Sequence, residues 1–277
     1  MSELGVAQPL RMLQLQVSGA YGALEARLYA SGPAGVRKDG LIVFFHCGGF
    51  VGGDLDESDG FLRHLADCSG LAVLASRYTL ASERPFPAAV EDAHAVLQWA
   101  SKHKAKLGWS GKDLIVAGIE AGANLAAVSA LMARDRGAPA LAGQILVMPM
   151  LDPGLTSCSM RAMPRSDGAL DLASSCAASY RDYLPNAADR SHPYASPLQS
   201  SRLKNLPPAL ILSTEEDPLR DEAEQYGEKL NCCGSVAFVK RLAAAPLQDP
   251  AARNECACRD AALSEIAAFI RTLSLPA

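Results

Sequence analysis

Residues 41–50 read LIVFFHCGGF and contain the clearest indication of this chain's architecture. Its first half is a continuous apolar run, which is typical of a strand that is buried on both faces. Its second half consists of His46 and Cys47 followed by two glycines, Gly48 and Gly49. Because ligands of parallel sheets bind at the carboxyl ends of the strands, this loop is the first candidate for a functional site.

Short apolar segments and helical periodicities alternate on both sides of this stretch. Two alternating segments, residues 12–17 and 24–29, predict an antiparallel hairpin. Further strands are predicted at residues 71–75, 113–117, 144–148, 209–213 and 236–241, and helices at 56–69, 87–106, 121–133, 220–231 and 257–273. The alternation predicts the α/β class, with a mostly parallel central sheet and helices on both sides.

The alternation is interrupted once. Residues 153–205 contain several prolines and only one helical segment, near residues 170–183. We therefore predict that residues 153–205 form an inserted helical cap. Residues 1–152 and 206–277 then form one core, since one sheet with one insertion is simpler than two domains.

The composition excludes several classes of protein. The chain has 277 residues, of which 49% are hydrophobic and 20% charged, so disorder is excluded as its main state. The net charge of −4 argues against a basic surface for nucleic acid. We see no export signal and no apolar run long enough for a bilayer, and we expect a cytoplasmic protein without nucleic-acid or membrane partners.

The eight cysteines are expected to be thiols rather than disulfides. Cys256 and Cys258 lack the spacing of a metal site, and no histidine lies near them. We therefore expect no metal and no cofactor.

Three segments are predicted to lie at the carboxyl ends of strands. They are the glycine loop at 46–50, Gly118–Gly122, which reads GIEAG, and Glu216–Glu222, which reads EDPLRDE. A glycine loop that offers backbone N–H groups, and a G-x-S-x-G turn between a strand and a helix, are features of α/β hydrolases. The second segment has Glu120 where that turn carries serine.

Taken in order, these motifs resemble the hormone-sensitive-lipase family of carboxylesterases, from about Leu24 to Leu273. The resemblance is strengthened by FVGGD at 50–54, RYTLA at 77–81, PFPAAVED at 85–92, GANLA at 122–126 and LPPA at 206–209. It implies the α/β-hydrolase fold.

The resemblance also implies a role for individual residues. The N–H groups of Gly48, Gly49 and Ala121 form an oxyanion hole, and His46 shapes the loop. Asp217 is the acid of the catalytic triad, although a helix N-cap is its alternative role. Glu120 occupies the position of the nucleophilic serine. The catalytic histidine falls on Leu247, within one residue, and no histidine follows His192.

These two substitutions lead to competing hypotheses about function. A Ser-His-Asp mechanism needs a hydroxyl nucleophile and an imidazole base, whereas an ionised Glu120 at a helix N-terminus would itself fill the oxyanion hole. The first hypothesis is a pseudo-esterase that binds a small molecule or a partner, as do plant gibberellin receptors, which resemble this family. The alternative is an active hydrolase on small esters or related acyl compounds, with an unconventional site around Glu120. A third is an interaction protein that forms a homodimer or pairs with an active relative.

Overall fold

The computed structural model of the protein describes residues 10–32, 36–162, 172–243 and 252–273. The strands form one 8-stranded sheet in the spatial order β1-β2-β4-β3-β5-β6-β7-β8. They are β1 (Arg11–Ser18), β2 (Ala23–Ala30), β3 (Lys38–Phe45), β4 (Ala72–Ser76), β5 (Trp109–Ile119), β6 (Gly143–Val147), β7 (Ala209–Thr214) and β8 (Ala237–Leu242). Strands β1 and β2 form the predicted antiparallel hairpin, β2 pairs antiparallel with β4, and the remaining neighbours are parallel.

Helices cover both faces of this sheet, which confirms the predicted α/β class. They are α1 (Asp59–Ser69), α2 (Ala88–Lys102), α3 (Ala121–Arg136), α4 (Cys158–Arg161), α5 (Leu172–Tyr183), α6 (Arg220–Cys232), α7 (Ala252–Ala257) and α8 (Asp260–Leu273). Helices α2, α3 and α6 pack on one face, and α1 and α8 on the other. The central strand β3 is buried from Gly40 to Phe45, because helices lie on both of its sides.

The helix predicted at residues 257–273 has the wrong bounds. Helix α8 begins at Asp260, and the separate helix α7, which was not predicted, ends at Ala257. Between them the Arg259 N–H bonds to the Cys256 carbonyl as the chain turns. Asp260 in the first turn of α8 places a carboxylate at the positive end of the new helix. The preceding helix α7 carries Arg253 into the core, where this residue is 1% exposed.

Residues 153–205 hold the short helix α4, the longer helix α5 and two 3-10 turns in the parts that the structure describes. Helix α5 lies over the glycine loop, where the ring of Tyr183 stacks on Phe50 with centroids 3.8 Å apart. Across the described part of the chain, every helix is too short or too polar to cross a bilayer.

Candidate active site

The sheet brings the glycine loop and the GIEAG segment together. Strands β3 and β5 are parallel neighbours, and Phe45 pairs with Gly118 at their carboxyl ends. The backbones are so close that a Cβ added to Gly122 would lie 2.0 Å from the Phe45 carbonyl oxygen. A glycine is therefore required at this position for steric reasons.

Glu120 lies on a sharp turn between β5 and α3. Its backbone has φ 54° and ψ −111°, a region that residues with a Cβ rarely adopt. The turn is held by the Glu120 N–H, which donates to the Val147 carbonyl at 3.0 Å, and by the Glu120 carbonyl, which accepts from Asn124 at 3.1 Å. This geometry pushes the side chain out of the strand and into the site.

The carboxylate of Glu120 occupies the space in front of the glycine loop. Its Oε2 accepts hydrogen bonds from the N–H groups of Gly48 at 2.8 Å and Gly49 at 2.9 Å. Both glycines have positive φ, 126° and 60°, which turns their N–H groups toward the same point. Ala121 opens α3, and among the described residues its N–H forms no hydrogen bond to this carboxylate. Two of the three predicted donors thus bind Glu120 itself.

His46 is part of the wall of the loop. Its Nδ1 lies 2.7 Å from the Cys47 carbonyl oxygen, and its ring stacks on Tyr78 at 4.4 Å. Burial lowers the pKa of His46 to about 4, so the imidazole is neutral near pH 7. Glu120, by contrast, bonds the backbone of the loop rather than the His46 ring.

Asp217, the predicted triad acid, is paired with an arginine. Its carboxylate receives two hydrogen bonds from Arg253, Nη1 to Oδ2 at 2.7 Å and Nη2 to Oδ1 at 3.0 Å. Its Oδ1 also accepts from the Leu219 N–H at 3.0 Å, one residue before α6 begins. Asp217 therefore both stabilises the start of α6 and neutralises a buried cation.

Arg253 links the two acidic positions of the site. Its Nε lies 3.5 Å from Glu120 Oε1, so Glu120, Arg253 and Asp217 form a buried row of alternating charge. Burial alone would lower the pKa of Arg253, but the carboxylates of Asp217 and Glu120 outweigh it and raise the pKa. A guanidinium held in this way stays protonated and cannot serve as a general base. Leu247, the predicted histidine position, lies outside the described residues.

Asn254, the residue after Arg253, holds the other side of the site. Its Nδ2 donates to Cys47 Sγ at 3.2 Å, and its Oδ1 accepts from the Ser58 hydroxyl at 3.0 Å. Burial raises the pKa of Cys47 to about 12, which leaves this residue as a thiol rather than a reactive thiolate.

Four other nucleophilic or basic side chains among the described residues have different surroundings. Ser213 donates to Glu224 at 2.9 Å, and Ser159 donates to the Pro218 carbonyl at 2.8 Å. His192 is exposed, and its ring packs on Phe86 and Tyr194. Burial raises the pKa of Cys176, a thiol of α5, even though Arg253 acts in the opposite direction. None of these contacts resembles a nucleophile held by a base.

Sequence reasoning missed Arg253 and Asn254. Both lie in a segment, Ala251–Ala257, without a glycine, a proline or a strong apolar period, so no local signal marks them. The clue was indirect, since an acid buried at residue 217 requires a partner for its charge. Among the described residues, no group of three or more His, Cys, Asp or Glu side chains is placed to hold a metal ion.

Comparison with known proteins gives concordant matches. A sequence model of the alpha/beta hydrolase fold matches residues 42–246. Esterase LipI of Mycobacterium tuberculosis (strain ATCC 25618 / H37Rv) is 35% identical over 228 residues, which are 81% of this chain and 70% of LipI. Carboxylic ester hydrolase LipN of the same strain is 36% identical over 234 residues, which are 82% of this chain and 61% of LipN, less than two thirds of its length.

A solved structure shows the same architecture. The crystal structure of EstE1, a thermostable carboxylesterase cloned from a metagenomic library, superposes with a TM-score of 0.87 at 31% sequence identity. The match covers 98% of this chain and 92% of EstE1.

Proposed function

The chain belongs to the alpha/beta hydrolase family of the hormone-sensitive-lipase type, and from that premise we propose that it is a carboxylesterase-like protein whose site binds a small molecule without ordinary serine-esterase turnover. In this proposal the nucleophilic serine is replaced by Glu120, and the catalytic histidine is lost at Leu247. The observation that carries the proposal is the carboxylate of Glu120 on the N–H groups of Gly48 and Gly49.

The chemical reason is electrostatic. In acyl transfer, an oxyanion hole stabilises negative charge that develops on the substrate. Here a fixed negative charge already occupies the two donors, so a substrate carbonyl would have to displace it. Among the residues that the structure describes, Arg253 stays protonated and His46 is buried in the loop wall, so neither is placed to act as a substitute base.

The alternative function is an active hydrolase on small esters. The names of the relatives favour it, since LipI is an esterase and LipN a carboxylic ester hydrolase. In this case Glu120 would leave the two N–H groups when substrate binds, and its carboxylate would act as the base or nucleophile near the emptied hole. The first experiment therefore tests both functions.

The first experiment measures hydrolysis of short p-nitrophenyl esters by the purified protein and by Glu120→Gln. We expect both to show background turnover and no burst. Turnover well above background that is lost in Glu120→Gln would overturn the proposal and establish the alternative. His64→Gln, a change at an exposed helix residue, serves as the matched control for handling and folding.

The second experiment asks whether the scaffold accepts a triad. We compare Glu120→Ser/Leu247→His with the same pair combined with Arg253→Ala. Because Arg253 holds both oxygens of Asp217, we expect turnover only in the triple variant. Equal turnover in the double variant would contradict the role that we assign to Arg253.

Three further expectations stay proposals. We propose that residues 153–205 act as a cap over the core of residues 1–152 and 206–277, supported by the stacking of Tyr183 on Phe50. We propose that the protein works in the cytoplasm. We also propose pairing with a second copy or an active relative, which light scattering of the protein alone and in mixtures would test.

A further inference from the structure

The groups around the Glu120 carboxylate are carboxylate-binding groups. Two backbone N–H groups, from Gly48 and Gly49, bind one oxygen, and the Arg253 guanidinium faces the other. Convergent N–H groups and a guanidinium are the donors that proteins use to bind carboxylates. In an ester-cleaving site, by contrast, a base stands beside the hole rather than a permanent cation.

One of these donors is unsatisfied. Within the described part of the chain, Arg253 Nε has no hydrogen-bond partner, although the residue is 1% exposed. Its distance of 3.5 Å to Glu120 Oε1 is an ion-pair distance rather than a good hydrogen bond. A carboxylate that moved freely in the site would satisfy Nε better than one tethered to the strained turn.

We propose that this site is a receptor for small monocarboxylates, in which Glu120 is a tethered competitor that a ligand displaces from Gly48, Gly49 and Arg253. The proposal rests on the proposed function, because it names the ligand class of the same non-hydrolytic site. It differs in its readout, since it concerns binding of an acid and not turnover of an ester.

Once Glu120 is removed, the charges that remain in the site are compatible with one bound carboxylate. Asp217 and Arg253 neutralise each other, so a carboxylate that binds Glu120→Gly restores the charge that Glu120 carries in the unchanged protein. Glu222 is another buried carboxyl of the same region. Burial raises its pKa well above the usual value, even though the Leu151 N–H, which donates to it at 2.8 Å, acts in the opposite direction.

The space in the site limits the ligand to a short chain. Glu120 is 7% exposed, and α5 closes the loop so tightly that a Cβ on Gly49 would lie 2.3 Å from the Ser179 hydroxyl oxygen. The side chain of glutamate beyond Cα has the atoms of propionate. Removing it therefore leaves room for propionate itself, and propionamide is a neutral probe of the same shape.

Glycine is the best residue for emptying the site. The backbone at Glu120, with φ 54° and ψ −111°, suits a residue without a Cβ, so Glu120→Gly relieves strain as it removes the carboxylate. This gain offsets part of the stability that is lost with the hydrogen bonds. Glu120→Ala, with acetate as its size-matched probe, is the second variant if the glycine variant does not fold.

The experiment is a thermal-shift and calorimetric titration of the protein and of Glu120→Gly with sodium propionate, propionamide and sodium chloride at equal ionic strength. A ligand that binds only the folded state raises the melting temperature with its concentration. We expect propionate to bind Glu120→Gly at least tenfold more tightly than the unchanged protein, with no specific shift from propionamide or chloride. Adding Arg253→Met to Glu120→Gly should abolish the propionate effect.

Two results would overturn the inference. One is a folded Glu120→Gly, or Glu120→Ala, that propionate or acetate stabilises no more than chloride does. The other is equal propionate affinity with and without Glu120, which would place binding elsewhere. The proposed function fails by a different measurement, ester turnover above background, so the two failures are distinguishable.

Discussion

Two regions meet at Glu120, the loop of residues 46–53 and the helix α7 (Ala252–Ala257). The loop contributes backbone groups, and positive φ at Gly48 and Gly49 turns their N–H groups toward one point. Helix α7 contributes side chains, with Arg253 on Glu120 and Asp217, and Asn254 on Cys47 and Ser58.

The loop contributes the backbone geometry of the site, whereas α7 contributes the charged and polar side chains that face it. The loop has the form expected of an oxyanion hole, because its shape depends on glycine sterics and not on which group occupies it. The side chains around it are an acid on the turn, Glu120, and an arginine that pairs with Asp217, and these contacts are the basis of our proposal that the site binds a carboxylate.

The largest expected loss of stability follows from a substitution in α7. Arg253→Ala leaves Asp217 buried without its cation, which costs roughly 3–5 kcal/mol of unfolding free energy. Urea unfolding measures the loss. The matched control is Arg136→Ala, which breaks a half-exposed pair with Glu91 and should cost about 1 kcal/mol or less. Similar losses of unfolding free energy in the two variants would contradict a special contribution of the buried pair between Arg253 and Asp217.

The contribution of the glycine loop should be visible in the pH dependence of stability, through the titration of His46. His46 has a pKa of about 4 in the folded protein, below the usual 6.5, so the unfolded chain binds its proton first. Stability should therefore fall as the pH drops from about 6.5 to about 4, by about 3 kcal/mol in total from this residue. We expect His46→Gln to flatten the profile in that range and His64→Gln, at an exposed site, to leave it unchanged. A steep profile in His46→Gln would assign the effect to other groups.

The steric origin of the loop geometry can be tested with one methyl group. In Gly122→Ala the new Cβ meets the Phe45 carbonyl oxygen at 2.0 Å, and overpacking of this kind costs roughly 1–3 kcal/mol. Gly60→Ala adds a methyl group to a helix position with nothing within 4 Å, and it should stabilise by about 0.5–1 kcal/mol. Thermal unfolding of the two variants should shift in opposite directions.

The smallest effect concerns the contact between the two regions. Asn254→Ala removes the hydrogen bonds to Cys47 and Ser58, with an expected cost of about 1–2 kcal/mol. The thiol of Cys47 should then react faster with a maleimide, because α7 no longer covers it. An unchanged rate would indicate that the burial of Cys47 does not depend on Asn254.

The fold was predictable from the sequence for a clear reason. The apolar runs at residues 41–45 and 145–147 are buried in the sheet, as is typical of parallel strands that are covered by helices on both faces. The glycines at 118 and 122 marked the turn at Glu120, because close backbone approach excludes a side chain there. Helix α7 was missed, since its six residues carry no strong apolar period that would mark them as helical.

The amino-acid sequence alone shows that the residue on the turn of this α/β-hydrolase scaffold is a glutamate and that no histidine follows residue 192. Which residues face that glutamate depends on the three-dimensional fold. It placed Arg253, distant in sequence and unmarked by any motif, within reach of both Glu120 and Asp217. Such a pairing depends on how α7, which packs against α1 and α8, lies beside the turns that follow β5 and β7. Long-range packing of this kind leaves no local pattern, because its energy comes from burial and charge compensation between residues far apart in the chain.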